Sequence, residues 1–331
     1  MEKENLRIGI DIGGTNTVWG IVDSHDNYLF ENSILTHAEE GADSFIRKLA
    51  EKIQNDYKKF SDKYDIEGIG IAAPSVNHIT GIIEKAVNLH WGEVDFINKM
   101  KKYFDVRIVI LNDANAAALG ERSFGAAKGM NNFIIITLGT GLGSGIVVNG
   151  QLLYGENGLA GEIGHSVIEV NGRKCSCGKF GCLETYISAT GIRRTVFNFL
   201  GYYDDESELR DITFNSLTSK KISELAQKSD PIAIKAYEFT GEVLARSLSN
   251  LVSLFNPEAI ILFGGLADSG DLLLKPLEHY MDKYLLDLYK GKIKILKSEL
   301  QNGKAAILGA CSFVKEVIEK NKAQLSYTEL K

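Results

Sequence analysis

Residues Leu6 to Ile12 run apolar and alternating, and the run breaks at Gly13-Gly14-Thr15-Asn16-Thr17. Val18 to Val22 predicts a second strand, Ser24 to Asn27 a turn, and Tyr28 to Leu35 a third strand. Three strands joined by short turns make an antiparallel meander. Phe45, Leu49, Ile53 and Tyr57 then recur every four residues with charges between them, which predicts a helix. Ile66 to Ala72 reads as a strand, Asp95 to Phe104 as a helix, Val106 to Leu111 as a strand, and the Ala-rich stretch Ala114 to Leu119 as a helix.

The pattern then starts again. Phe133 to Leu138 is a strand, Gly139 to Gly143 a glycine turn, Ser144 to Val148 a second strand, and Asn149-Gly150 a hairpin signal. Pro231 suits the first turn of a helix whose apolar positions include Val243, Leu244, Leu248, Leu251 and Phe255. Asn256-Pro257 ends it, Ala259 to Phe263 forms a buried strand leading into Gly264-Gly265, and Ile293 to Lys297 is a last strand. Gly303 to Glu319 closes the chain as a helix with Ala306, Ala310, Phe313 and Val317 on one face. The repetition predicts two α/β domains related by duplication. The boundary is placed near residue 117, with the closing helix (about 303–331) returning to the first domain and 118–302 forming the second.

Composition narrows the class. The 331 residues are 44% hydrophobic, enough for two compact domains. A net charge of −6 argues against a nucleic-acid surface, which needs a basic patch. The N-terminus lacks the apolar stretch of a secretory signal, and no apolar run is long enough to span a bilayer. A cytoplasmic protein with reduced thiols is expected.

The two glycine turns, Asp11-Ile12-Gly13-Gly14-Thr15-Asn16-Thr17 and Leu138-Gly139-Thr140-Gly141-Leu142-Gly143, are the candidates for phosphate binding. Glycines let the backbone turn tightly and bring N–H groups close to an anion. The second contains Gly-x-Gly, but a dinucleotide-binding fingerprint must open a helix, whereas here Ile146-Val147-Val148 and an Asn-Gly turn follow. One such hairpin would be only a hairpin; two, the first preceded by Asp11, favour phosphate binding with Mg²⁺ at the carboxylate, directly or through water.

His165 precedes Cys175-Ser176-Cys177-Gly178-Lys179-Phe180-Gly181-Cys182, and three thiols with an imidazole make a recognised tetrahedral zinc set. A disulfide is disfavoured in a reducing compartment, and three clustered cysteines cannot all pair. Four protein ligands leave no open position, so the zinc is read as structural, with the second ring nitrogen of His165 left as a donor. Cys311, on the apolar closing helix, reads as core.

Asp113 stands where the strand Val109 to Leu111 passes through Asn112 into a helix. Taken alone it reads as a helix cap. The carboxyl ends of strands in α/β sheets are also where ligands bind, and Asn112 beside it brings an amide able to bond a hydroxyl.

Together these motifs resemble the sugar kinases of the ROK family, within the wider two-domain actin-like ATPase and ribonuclease H-like fold. Asp11-Ile-Gly-Gly-Thr15 resembles the first phosphate motif, Leu138-Gly-Thr-Gly-Leu-Gly143 the second, and Phe263-Gly-Gly-Leu266 the adenosine-side turn. Gly161-Glu-Ile-Gly-His165, followed by Cys175-x-Cys-Gly-x-x-Gly-Cys182-Leu-Glu184, resembles the family signature. The resemblance implies duplicated βββαβαβα-type domains with an interdomain active-site cleft, and ATP-dependent transfer to the 6-hydroxyl of a hexose, glucose foremost. N-acetylmannosamine, N-acetylglucosamine, fructose or allose are alternative acceptors, and a non-catalytic sugar-responsive regulator is a further one. It implies Asp113 as base and Asn88, Asn112, Asp113, Glu162, His165 and Glu184 as sugar contacts. ATP with Mg²⁺ would be held at Asp11, Gly13, Gly14, Thr15, Asn16, Thr140, Gly141, Gly264 and Gly265, and one zinc at His165, Cys175, Cys177 and Cys182. A homodimer is implied as well. Regulators of this type carry a helix-turn-helix module before the first phosphate motif, for which Asp11 leaves no room. Two stretches depart from the family pattern: Ala73-Pro74-Ser75-Val76-Asn77 stands where many members show Pro-Gly and then Val-Asp, and Asn88-Leu89-His90-Trp91 lacks the usual Pro-Gly before Trp.

Overall fold

Ile8, Ile10 and Ile12 are buried along the first strand, β1 (Glu4–Ile12), which is sandwiched in the middle of a sheet and therefore reads as a nearly unbroken apolar run. The computed structural model describes residues 3–84, 86, 88–300 and 303–329, with side chains as far as residue 321. β1 pairs antiparallel with β2 (Asn16–Asp23), placing Ile10 opposite Trp19, and β2 pairs antiparallel with β3 (Tyr28–Leu35). Helix α1 (Ala42–Tyr57) buries Phe45, Ile46, Leu49 and Ile53, the face its four-residue spacing predicts. β4 (Tyr64–Ala73) then returns parallel to β1.

A small antiparallel sheet of β5 (Val76–Asn77), β6 (Ile82–Ile83) and β7 (Val94–Asp95) follows, which the hydrophobic pattern does not predict. The helix expected from Asp95 to Phe104 is shorter: Asp95 caps α2 (Phe96–Met100) by accepting from the Asn98 N–H. Bonds from Lys102 to Lys99 and from Tyr103 to Met100 then tighten the chain into turns. β8 (Arg107–Asn112) lies parallel to β4, completing the order β3-β2-β1-β4-β8, and passes directly into α3 (Asp113–Phe124). Residue 117 lies inside α3, and the first compact unit runs on to Gly129, so the boundary falls after this helix and not within it.

The second unit repeats the plan. β9 (Phe133–Leu138), β10 (Leu142–Val148) and β11 (Gln151–Leu152) are antiparallel neighbours. After α4 (Ala189–Tyr202), α5 (Ser219–Gln227) and α6 (Pro231–Phe255), β12 (Ala259–Phe263) pairs parallel with β9. α7 (Asp271–Tyr284) leads to β13 (Lys294–Lys297), parallel to β12, giving the order β11-β10-β9-β12-β13. Pro231 opens α6 behind Asp230, whose side chain accepts from the Ala233 N–H, and Asn256 ends it in the left-handed region.

Met1–Gly129, Tyr154–Ala160 and Glu299–Lys331 form the first unit, and Met130–Leu153 with Gly161–Ser298 the second. The closing helix α8 (Lys304–Glu329) therefore groups with the first. It packs on α3 at backbone contact: a β-carbon on Gly309 would strike the carbonyl of Ala116, and one on Gly120 the carbonyl of Ala305. Only small residues permit that approach, which explains the alanines of α3. Buried Arg7 bonds the carbonyls of Asp23 and Cys311 and pairs with Asp26, to which Lys315 of α8 also bonds at 2.9 Å. Cys311 is fully buried, and burial pushes its thiol up to about 12. Among the described residues no helix is long and apolar enough to cross a membrane.

Candidate active site

In the first unit the β1–β2 bend is closed by the Gly13 N–H bonding the Asn16 carbonyl at 3.0 Å. The carbonyl of Gly13 accepts from Thr36 Oγ1 (2.7 Å) and that of Thr15 from the Thr36 N–H (2.8 Å), and Thr36 is buried. In a trans peptide the N–H points opposite to the C=O. The Gly14 N–H is thus aimed away from Thr36, on a bend whose residues Gly14, Thr15 and Asn16 are exposed. An outward N–H on an exposed glycine bend is what contact with an anion would need. Asn88 rests on the same bend: a β-carbon on Gly14 would lie 2.9 Å from the Asn88 carbonyl oxygen.

Asn112, not Asp113, caps α3. Its side-chain oxygen accepts from the N–H groups of Ala114 (2.9 Å) and Asn115 (3.3 Å). Asp113 is thereby not the capping residue and sits in the first turn, at the positive end of the helix dipole. Its carboxylate accepts from the Ala114 N–H at 2.8 Å. The side chain is open to solvent, yet the protein bulk around it raises its pKa, opposed by bonds from Ala114 and Asn112. Burial, and then the charge of Asp113, raise Asp11 to about 7. Hard carboxylate oxygens that resist ionising beside one another suit a Mg²⁺-bound phosphate, whose cation would offset their charge.

In the second unit Gly139–Gly143 bends between β9 and β10 rather than opening a helix, so the dinucleotide reading fails in the structure as it does in the sequence. The Gly139 N–H bonds the Gly141 carbonyl at 3.1 Å, and the Gly139 carbonyl accepts from Ala189 at the start of α4 at 2.9 Å. By the same planarity the Thr140 N–H points away from α4, on an exposed bend. Gly264, at φ 103°, fits against the Leu138 carbonyl at the base of this hairpin, and Gly265 follows it.

The donor atoms of His165, Cys175, Cys177 and Cys182 all lie within 4.8 Å of one another. Nδ1 of His165 is 3.6 Å from Cys175 Sγ, and the Cys177 and Cys182 sulfurs are 3.7 Å apart. Zinc–sulfur bonds of about 2.3 Å in a tetrahedron give sulfur–sulfur edges of about 3.8 Å, so the cluster fits the ion. Gly178 and Gly181, at φ 93° and 75°, make the bends. Burial pushes the Cys175 thiol up to about 12 and that of Cys182 upward too. Burial acts upward on Cys177 as well, but the Lys179 N–H and the neighbouring thiols hold it below its usual value.

Glu184 joins this cluster to the β9–β10 hairpin. One oxygen is 3.2 Å from Cys175 Sγ and 3.9 Å from His165 Nδ1. The other is 3.5 Å from the Leu142 N–H and would lie 2.8 Å from a β-carbon on Gly141. Glu162 is exposed at the head of the short turn Ile163–His165, whose approach is held by Ser144 Oγ on the Gly161 carbonyl. Thus Asp11, the first bend, Asn88, Asn112 and Asp113 belong to the first unit. The second bend, Glu162, His165, Cys175, Cys177, Cys182, Glu184 and Gly264-Gly265 belong to the second. Sequence reasoning missed Thr36, which orients the first bend and lies in no glycine motif.

Duplicated sheets of this order, each with a glycine bend between its first two strands, define the two-domain actin-like ATPase fold. A sequence model of the ROK family matches residues 7–317, and the chain belongs to that family. It is 35% identical over 316 residues to a glucokinase of Halalkalibacterium halodurans, covering 93% of this chain and 94% of that one. It is likewise 35% identical to a glucokinase of Thermotoga maritima, covering 94% and 98%. Among solved structures, a ROK family glucokinase from Streptomyces griseus in complex with glucose and AMPPNP is 32% identical, with a TM-score of 0.78 over 94% of this chain and 99% of that one.

Proposed function

We propose that the protein transfers the γ-phosphoryl group of ATP to the 6-hydroxyl of a hexose, with glucose the first acceptor to test. The observation that carries this reading is the position of Asp113: a solvent-accessible carboxylate at a strand's carboxyl end, beside the capping residue Asn112 and bonded by it and by the Ala114 N–H. The family relation to glucokinases supports it.

In this reading Asn88, Asn112, Glu162, His165 and Glu184 bond the sugar hydroxyls, and Asp113 orients the 6-hydroxyl. As the hydroxyl oxygen bonds the γ-phosphorus, the bond to the bridging oxygen of ADP breaks and the hydroxyl proton passes to Asp113. Asp11 and the exposed N–H groups of the first bend, with Thr140, Gly141 and Gly264-Gly265, hold the nucleotide. Mg²⁺ arriving with ATP supplies neutralisation of the phosphate charge. His165, Cys175, Cys177 and Cys182 would hold one zinc, which would fix the loop that carries the sugar contacts. The reading places the protein in the cytoplasm, where ATP is present and thiols stay reduced, as a homodimer.

An ADP-release assay across glucose, fructose, allose, N-acetylglucosamine and N-acetylmannosamine tests it. Turnover on at least one with a 6-phosphate product supports the reading, and no turnover on any overturns it. Sedimentation analysis tests the dimer.

A further inference from the structure

We infer that Arg173 is a positioning residue for the sugar site, holding the cysteine loop and Glu184 in one register. This rests on the hexose-kinase reading for its kinetic consequence, though not for its structural one.

Arg173 opens the cysteine loop and engages it from three sides. Its backbone N–H donates to the Tyr186 hydroxyl at 3.1 Å, and its carbonyl accepts from the Gly181 N–H at 2.9 Å, so the loop is closed across its two ends. Its Nη1 donates to the carbonyls of Thr185 (2.9 Å) and Gly191 (3.0 Å), and Nη2 to Thr195 Oγ1 (3.0 Å). The guanidinium carbon lies 4.4 Å from the centre of the Tyr186 ring.

Those acceptors are not scattered. Thr185 adjoins Glu184 in the turn Leu183–Thr185, and Gly191 is in the first turn of α4. Ser188, which caps that helix, bonds the Glu184 carbonyl at 2.7 Å, and Ala189 bonds the Gly139 carbonyl of the phosphate bend. The chain segments bearing Cys175, Cys182 and Glu184 therefore meet at one residue, Arg173, whose backbone carbonyl takes the Gly181 N–H and whose guanidinium takes the Thr185 carbonyl. Thr185, Gly191 and Thr195 are buried, and although the Thr195 hydroxyl also bonds the Gly191 carbonyl at 3.1 Å, losing the guanidinium takes a donor from the buried Thr185 carbonyl beside Glu184. A lysine cannot replace it, because a single ammonium cannot reach three separated acceptors and stack on a ring as a planar fork does.

The test compares Arg173→Ala and Arg173→Lys with Arg194→Ala, a neighbouring half-buried arginine with a single bond, to the Lys174 carbonyl. Three quantities are read: zinc release to a chromogenic chelator, hydrogen exchange over residues 166–186, and KM for hexose and for ATP. Both Arg173 variants are expected to release zinc and raise the hexose KM by roughly tenfold, with faster exchange confined to 166–186 and ATP KM within about twofold. Arg194→Ala is expected to match the parent protein. Should Arg173→Ala fail to fold, Arg173→Lys carries the test. Parent-like zinc release and hexose KM in folded Arg173→Lys, even with a lowered Tm, overturn the proposal. If no hexose is turned over by the parent protein, the kinase reading falls, while zinc release and exchange still decide on Arg173.

Discussion

The carbonyl oxygen of Asn88 occupies the place beside Gly14 that a side chain would need, 2.9 Å from an idealised β-carbon, with the Asn88 Cβ at 3.1 Å. A residue assigned to the sugar and a bend assigned to the phosphate are thus in van der Waals contact within one unit. Gly14→Ala must displace one or the other. Overpacking of this kind costs about 1–3 kcal/mol, so the hexose and ATP KM values should rise together, roughly tenfold or more. Steady-state kinetics against both substrates checks this, and a rise confined to ATP would show that the contact carries no coupling.

Asp113→Asn keeps the shape of the side chain and removes the proton acceptor. Turnover should fall about 10²–10⁴-fold, with sugar binding by calorimetry near that of the parent. Because the surroundings raise the Asp113 pKa, the acid limb of the parent pH profile should lie above the ordinary carboxylate range and vanish in the variant. Full activity in Asp113→Asn would remove it as the base.

Asp11 gives a stability prediction with a definite sign. Its carboxyl holds a proton more tightly when folded, with the pKa raised from 3.8 to about 7. Its contribution is therefore favourable at low pH and lost as pH rises between those values. Without nucleotide, Asp11→Asn should raise Tm by roughly 2–5 °C at pH 8 and leave it nearly unchanged at pH 4. Thermal melts at the two pH values decide it; equal shifts at both would exclude the titration as the cause.

Stripping zinc with a chelator, or Cys177→Ser, should weaken hexose binding about 10–100-fold, because His165 and Glu184 touch the cluster directly. Added zinc should restore the stripped parent. Protein purified in full activity with no zinc by mass spectrometry would contradict the assignment of this loop.

Ser75 and His90 stand where relatives are expected to carry Pro-Gly, and both adopt left-handed backbone, at φ 53° and 52°. The path of the chain is one that suits glycine even though the residues differ. Left-handed backbone costs a non-glycine residue about 1–2 kcal/mol, part of which glycine loses again through its freer unfolded chain. Ser75→Gly should therefore be neutral to mildly stabilising in denaturant titration, and a clear loss of stability would mean that the Ser75 side chain makes a contact of its own.

Much of this architecture was legible because its signals are local. Buried parallel strands are apolar runs, hairpin bends are glycines, and a cluster of thiols shows as a spacing of cysteines, so β1, β9, both bends and the meeting of His165 with three thiols could be read directly. The division near residue 117 could not, because α3 is held by α8 from nearly two hundred residues away and nothing around Ala117 marks it. The order of capping at Asn112-Asp113 was equally hidden: either residue can cap, and only the turn out of β8 selects the first. Arg173 was invisible for a related reason, since two of its guanidinium acceptors are backbone carbonyls, which leave no trace in side-chain identity, and the third is a threonine hydroxyl more than twenty residues away.

The backbone contact between Gly309 on α8 and Ala116 on α3 has a consequence for biosynthesis. A ribosome makes α3 long before α8, and domains generally fold as they emerge, N-terminal ones first. Here the unit begun first cannot bury the alanine face of the helix carrying Asp113 until residues beyond 304 have been made. The nascent protein should thus complete its second unit before its first, with the proposed base among the last groups to reach its final position.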